Sequence, residues 1–148
     1  MIYIAHLTKR FFSSLARSEV TEAELNMVRS TLSAGEYELW LQFSRADRHH
    51  SVLVATRFIA MRPVASRNEI AGVLLHDIGK IRSNLSTLQR VVATVVGPRT
   101  RRFALYHQHE DIGADMLRNA GSDREVIAIV NQTCNEDVAA AFRAADNI

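Results

Sequence analysis

Four capping boxes, each a hydroxyl residue followed three positions later by a glutamate, constrain the fold of this 148-residue chain more than any other feature. In such a box the hydroxyl accepts a hydrogen bond from the first helical turn, and the carboxylate reaches back to the capping residue. Strand signals are almost absent, so the sequence predicts an all-α fold, a compact multi-helix bundle. The four boxes are Thr21/Glu24, Ser33/Glu36, Ser66/Glu69 and Ser122/Glu125.

Helical periodicity predicts nine helices between these starts. Gly97 and Gly121 lie where the residue after a helix end belongs, and Pro98 could not continue a helix. The valines at positions 91, 92, 95 and 96 would also suit a strand, so that element has an alternative. The predicted helices span residues 22–31, 34–44, 47–61, 67–78, 86–96, 101–107, 109–120, 123–133 and 136–146.

The chain is long enough for one hydrophobic core and too short for two ordinary domains. No linker rich in proline, glycine or serine interrupts it, so residues 1–148 are predicted to form one domain, with residues 1–45 as a helical extension packed on the core. The single cysteine, Cys134, excludes an intramolecular disulfide. With no apolar run near the roughly 20 residues that cross a bilayer, these features predict a cytoplasmic protein.

An imidazole and a carboxylate, His76 and Asp77, end the apolar stretch 70–75. Burying such a charge is unfavourable unless a partner or a metal compensates it. Neighbours on a helix point about 100° apart, so both side chains reach one ion only where the helix ends or the ion lies over its edge. Gly79 is predicted to end this helix, with Lys80 complementing the helix dipole. Alone, the pair is more often a buried histidine bonded to its neighbour, but further ligand-type residues favour a metal.

Those further residues lie in three stretches, on separate predicted helices. Together with 74–80, their order resembles the HD-domain superfamily of metal-dependent phosphohydrolases, whose signature is a His on one helix, a His-Asp doublet on the next long helix and a distal Asp. The resemblance covers about two thirds of the chain, from Asp47 to the end. The stretches are Arg48-His49-His50-Ser51-Val52-Leu53-Val54-Ala55, His109-Glu110-Asp111-Ile112-Gly113-Ala114-Asp115-Met116-Leu117 and Ala144-Ala145-Asp146.

The resemblance implies one bound divalent metal ion that activates a water for attack on phosphorus. Ligands of nitrogen and oxygen without a thiolate leave Mn²⁺, Fe²⁺, Co²⁺, Ni²⁺, Zn²⁺ or Mg²⁺ open. His50 is preferred to His49 because the family places its first histidine directly before a small residue, here Ser51. The implied ligands are His50, His76, Asp77 and Asp146.

Asp77 and Lys80 are the predicted catalytic residues. Asp77 is expected to bind the metal and orient the water, while Lys80 holds a substrate phosphate as a point charge. Capping of the preceding helix is an equally good role for Lys80. Arg48, close to His50, and His109, which matches the family motif, are the other predicted substrate-binding residues; His109 could also contact a second metal.

The chain also departs from the family. Two-metal members carry a further histidine where this chain reads 129–135, so a complete binuclear site is not expected. The long motif of the cyclic-di-GMP phosphodiesterases is missing too, because the only prolines are Pro63 and Pro98. The expected partner is therefore a small phosphorylated substrate, such as a nucleotide.

Binding of nucleic acid is not expected, because the arginines at 99, 101 and 102 lack interleaved aromatic residues and a solvated face explains them better. The sequence assigns no oligomeric state. The alternative to an enzyme is a catalytically inactive binding or regulatory module that keeps the fold and a structural or vestigial metal site.

Overall fold

The structure is a computed structural model that describes residues 19–83 and 108–147. These residues form eight helices and no strand, which confirms the predicted all-α fold. None of the helices in the described ranges is both long and apolar enough to cross a membrane. The helices are α1 (Glu22–Thr31), α2 (Ala34–Trp40), α3 (Arg45–Met61), α4 (Arg67–Leu74), α5 (Lys80–Ser83), α6 (His109–Asn119), α7 (Arg124–Val130) and α8 (Glu136–Asp146).

Three of the four predicted capping boxes are present, at Thr21, Ser33 and Ser66. The prediction for the fourth was wrong, because Asp123 caps α7 and accepts from the amide of Glu125 at 2.9 Å. Ser122 instead belongs to the end of α6, where its amide donates to the carbonyl of Leu117 at 3.0 Å. Gly121, with φ of 77°, makes that reversal possible, as predicted.

The helix predicted over 67–78 ends early, at Leu74. A turn over 75–79 follows it, and Gly79 does not have the positive φ expected of a helix-ending glycine. Its small size serves a close approach instead, because a Cβ at this position would lie 1.7 Å from the carbonyl oxygen of His109. The helices predicted over 34–44 and 123–133 are also shorter than expected, and those over 86–96 and 101–107 lie outside the described residues.

Helix α4 lies at the centre of the bundle and contacts α1, α3 and α7. Its side chains at 71, 73 and 74 are completely buried, and a fully buried leucine such as Leu74 contributes about 2 kcal/mol. Gly72 lets α7 pack closely, since a Cβ there would lie 2.7 Å from Cβ of Ile129. The end of α4, from which the turn with the His-Asp pair continues, is therefore held in place from several sides.

The residues before α3 share this core. Val28, Leu32 and Trp40 are buried in it, and the indole Nε1 of Trp40 donates to Ser51 Oγ on α3 at 2.9 Å. Because residues 1–18 lie outside the described part, the single domain with an extension over 1–45 stays a prediction.

An ion pair joins the end of α3 to the start of α4. Glu69, which is 7% exposed, accepts hydrogen bonds from Nε and Nη2 of Arg62 at 2.9 and 3.1 Å and from the amide of Ser66 at 3.1 Å. The hydrogen bonds from Arg62 lower the pKa of the Glu69 carboxyl by more than burial raises it. The ionised carboxylate therefore stabilises the folded state.

We predict that Glu69→Gln lowers the melting temperature by about 3 °C near neutral pH, because glutamine keeps the capping box but loses the charge. Since the folded pKa is lowered, the charge stabilises fully above the unfolded pKa, about 4.3, and its contribution is lost as pH falls through the folded pKa. The difference from wild type should thus shrink as the pH falls below the unfolded pKa and through the folded one, in thermal melts followed by circular dichroism. Glu24→Gln, at the same position of the exposed α1 box, is the control; a pH-independent difference for Glu69→Gln would contradict the prediction.

Candidate metal centre

Three parts of the chain bring the four predicted ligand side chains together. His50 comes from α3, His76 and Asp77 from the turn after α4, and Asp146 from the last residue of α8. Nε2 of His50 lies 3.2 Å from Oδ1 of Asp146 and 4.0 Å from Oδ2 of Asp77. Nε2 of His76 lies 3.4 Å from Oδ2 of Asp77 and 3.6 Å from Oδ1 of Asp146. The bundle thus brings together donor atoms of residues as far apart in the chain as His50 and Asp146.

The early end of α4 explains how two consecutive residues face one point. On a continued helix their side chains would diverge by about 100°, but both lie in the turn over 75–79. Nδ1 of His76 lies 2.7 Å from the carbonyl oxygen of Val73. Because a carbonyl only accepts, Nδ1 carries the proton, and the lone pair of Nε2 points toward the carboxylates.

The carboxylates of the cluster are ionised near neutral pH. Burial raises the pKa of Asp77, but His76 and Lys80, whose Nζ lies 2.7 Å from Oδ2, together hold it well below its usual range. Burial also raises the pKa of Asp146, but the hydrogen bond from His50 and the charge of His76 together lower it by more. The cluster thus concentrates negative charge beside imidazole nitrogens.

The pKa of His76 depends on the same two effects, burial and neighbouring charge, but each acts in the opposite direction. Burial lowers it, and the nearby carboxylates of Asp77 and Asp146 raise it by more, so the net direction is upward. The site attracts a positive charge at Nε2 of His76, and a proton and a metal ion compete for that position.

The donor set fits a divalent metal. Metal–nitrogen and metal–oxygen bonds of about 2.0–2.2 Å place neighbouring donors roughly 3.0–3.6 Å apart. Three of the four separations above lie in that range, and donor atoms of His50, His76 and Asp77 all lie within 4.8 Å of one another. Imidazole nitrogen with carboxylate oxygen suits Mn²⁺, Fe²⁺, Co²⁺, Ni²⁺ or Zn²⁺.

A cavity of about 370 Å³ opens beside these ligands. His109, the first residue of α6, places Nε2 3.7 Å from Oδ1 of Asp77, the carboxylate oxygen that does not face Lys80. The structure therefore places both Lys80 and His109, which are predicted to bind substrate, beside the predicted metal ligands. The lining residues are His76, Asp77, Lys80, His109, Glu110, Ile129, Val130, Gln132, Cys134, Glu136, Ala139, Phe142, Arg143 and Asp146.

The predicted phosphate-binding Arg48 lies elsewhere. Its Nη2 donates to the carbonyl oxygen of Leu41, and its guanidinium lies 5.7 Å from the ring centroid of Trp40. The structure holds Arg48 against α2 and does not bring it to the cavity, so its phosphate contact stays a prediction. The arginines at 99, 101 and 102 lie outside the described residues.

Sequence reasoning missed several lining residues. The ring of Phe142 meets that of His76 edge-on, with 5.1 Å between centroids, and limits how the imidazole can turn. The signal was present, because Phe142 precedes Asp146 by four positions and shares its helix face. Cys134 is half-buried against the hydrophobic core and also lines the cavity, and burial raises the pKa of its thiol.

Comparison with protein families relates the chain to a known domain. A family model described as the HD domain covers residues 48–145, which include His50, His76 and Asp77 and stop one residue before Asp146. No curated protein and no solved structure matches the chain.

Two glycines make room where α6 meets the turn after α4. A Cβ on Gly79 would lie 1.7 Å from the carbonyl oxygen and 2.6 Å from the carbonyl carbon of His109, which are backbone atoms that cannot rotate away. A Cβ on Gly113 would meet mainly side chains, the nearest being Cγ2 of Ile78 at 3.0 Å. The close approach of Gly79 to the backbone of His109 sets the distance between His109 and the predicted metal ligands.

We predict that Gly79→Ala lowers the free energy of unfolding by about 1–3 kcal/mol, because the added methyl group pushes the start of α6 away. Chemical denaturation measures this loss. Gly113→Ala, in the same interface, is the matched control and should lose clearly less, since side chains yield more easily than backbone. Equal losses would show that the approach of Gly79 to His109 is not the tight contact.

Proposed function

The chain belongs to the HD-domain family, and from that premise we propose that it is a metal-dependent phosphohydrolase acting on a small phosphate ester such as a nucleotide. Family members typically bind divalent metal ions. The observation that carries the proposal is the meeting of two imidazoles and two carboxylates from three parts of the chain, with donor separations of 3.2–4.0 Å.

Four side chains would hold one divalent ion in this proposal: His50, His76, Asp77 and Asp146. When bound, such an ion supplies Lewis acidity toward a phosphate oxygen and lowers the pKa of a coordinated water. The hydrogen bond from Nδ1 of His76 to the carbonyl of Val73 fixes the orientation of the ring and leaves Nε2 as the nitrogen that would bind the ion. Asp146, whose side chain is 40% exposed, lies on the open side of the cluster.

The two oxygens of Asp77 have different surroundings, which suggests a division of work. Oδ2 lies beside His76 and Lys80, while Oδ1 lies toward His109 at 3.7 Å. Oδ1 is therefore proposed to accept a hydrogen bond from the attacking water and to orient it. The oxygen of that water bonds to phosphorus, the bond from phosphorus to the leaving oxygen breaks, and a proton ends on the leaving group.

Lys80 and His109 are proposed to hold the phosphate group. Both line the cavity, on opposite sides of the Asp77 carboxylate. The ammonium of Lys80 is a point charge for a phosphate oxygen, and the imidazole of His109 can donate a hydrogen bond to another. A cavity of about 370 Å³ lies at the lower end of the usual range for small-molecule sites, which favours a substrate of about the size of a mononucleotide.

We predict that the purified protein binds about one equivalent of divalent metal and that His50→Ala loses most of it. Its neighbour provides the matched control, because His49→Ala removes an imidazole from the same helix without touching the cluster. Elemental analysis after reconstitution and desalting measures bound metal, and circular dichroism checks that both variants are folded. Loss of metal from both variants, or from neither, would contradict the assignment of His50.

Activity separates an enzyme from an inactive module. Release of phosphate from a panel of phosphate esters by the metal-loaded protein, abolished in folded Asp77→Ala, would support the enzyme. Metal binding without turnover, together with a lower melting temperature after metal removal, would instead identify a structural metal site.

We predict that Lys80→Ala lowers kcat/KM about a hundredfold while bound metal stays near the wild-type amount, because the lost charge contacts substrate. Arg82→Ala, which removes another cation from the same short helix but from outside the cavity lining, should change kcat/KM little. Steady-state kinetics with the best ester of the panel measures both. Parallel loss of metal and activity in Lys80→Ala would show that Lys80 acts through the site's structure rather than on the substrate.

A further inference from the structure

Gln132 has a backbone conformation that side chains rarely adopt. Its φ is 59°, and among the described residues other than glycine it alone has a positive φ. It closes the end of α7, where the amide of Thr133 donates to the carbonyl of Ala128 at 2.8 Å. Helix α6 ends in the same manner with Gly121, the residue type that adopts this conformation without strain. Glutamine at this position therefore costs stability that a glycine would not.

The side chain of Gln132 makes one long-range hydrogen bond. Its Nε2 donates to Oε1 of Glu110 at 2.6 Å, between residues 22 positions apart, and both residues line the cavity. The bond is exposed to solvent, where a hydrogen bond adds little net stability because water competes for both partners. Stability alone thus does not account for a strained glutamine.

The bond ends in the first turn of α6, a helix that, like α8, has no side-chain capping hydrogen bond at its N-cap. Gln108, the N-cap of α6, makes no side-chain capping hydrogen bond, whereas α1 to α4 and α7 each have one. The next residue is His109, whose Nε2 lies 3.7 Å from Oδ1 of Asp77. Fraying of the first turn of α6 would move this imidazole away from the metal cluster.

We propose that Gln132 is a positioning residue, whose hydrogen bond to Glu110 ties the first turn of α6 to the segment between α7 and α8 and so keeps His109 beside Asp77. The strained backbone of Gln132 is the cost of holding α6 in this position. Backbone outliers of this kind are common at functional sites. Its effect on turnover rests on the proposed phosphohydrolase function. Its effect on α6 does not, because the tether acts in the free protein.

Gln132→Gly tests the proposal, because it removes the hydrogen bond and the strain together. The melting temperature should stay equal to wild type or rise, and bound metal should not change. Hydrogen exchange of the Ile112 amide, which donates to the carbonyl of Gln108 at 3.2 Å, should accelerate about threefold to tenfold. The ratio kcat/KM should fall by a similar factor. A lower melting temperature with unchanged exchange at Ile112 would overturn the proposal in favour of an ordinary structural role.

Exchange of the two side chains supplies a rescue. Gln132→Glu alone sets two carboxylates against each other, and Glu110→Gln alone changes the acceptor; the double variant restores one donor and one acceptor with their places reversed. The double variant should regain wild-type exchange at Ile112 and kcat/KM, and the single variant Gln132→Glu should not. Failure of the rescue in both readouts would overturn the tether.

Failure of the proposed function has a different signature. A wild-type protein that binds metal but hydrolyses no phosphate ester would remove the kinetic readout only. Exchange at Ile112, with the ring signals of His109 in nuclear magnetic resonance spectra, would still decide whether Gln132 holds the start of α6. Unchanged His109 signals in Gln132→Gly would overturn the proposal even then.

Discussion

The contact between Nδ1 of His76 and the carbonyl of Val73, just past the end of α4, is the interaction on which the centre depends. It holds the imidazole in one tautomer and turns Nε2 toward the carboxylates. It can form only because the helix stops at Leu74 and the chain enters a turn. The buried residues of α4 fix the place of that turn, so the core determines where the His-Asp pair points.

Charge explains why such a cluster suits a metal. Burial disfavours the ionised form of Asp77, yet the imidazole of His76 and the ammonium of Lys80 more than compensate, and the pKa of the carboxyl is lowered. An ionised carboxylate next to an imidazole lone pair is a ready ligand set for a divalent cation. The same arrangement without a cation leaves like-charged carboxylates, those of Asp77 and Asp146, facing one small volume.

Close approaches place the second half of the cavity. Gly79 allows the backbone of His109 to lie against the turn that carries Asp77, and Gly72 allows α7 to pack on α4. Helix α7 then leads to Gln132, which reaches back to Glu110 at the start of α6. The cavity wall therefore depends on a close approach of Gly79 to the backbone of His109, a close approach of Gly72 to the side chain of Ile129, and one exposed hydrogen bond.

The sequence by itself determined the all-α fold, three of the capping boxes and the bounds of α1 and α8, because helix caps are local properties. Its resemblance to the HD-domain superfamily implied His50, His76, Asp77 and Asp146 as candidate ligands. Only the tertiary structure decided that α4 stops at Leu74, that Gly79 serves contact with His109, that Arg48 turns toward α2, and that Phe142 and Gln132 line the cavity. These depend on which surfaces meet across residues far apart in the chain, and no local pattern encodes such distances.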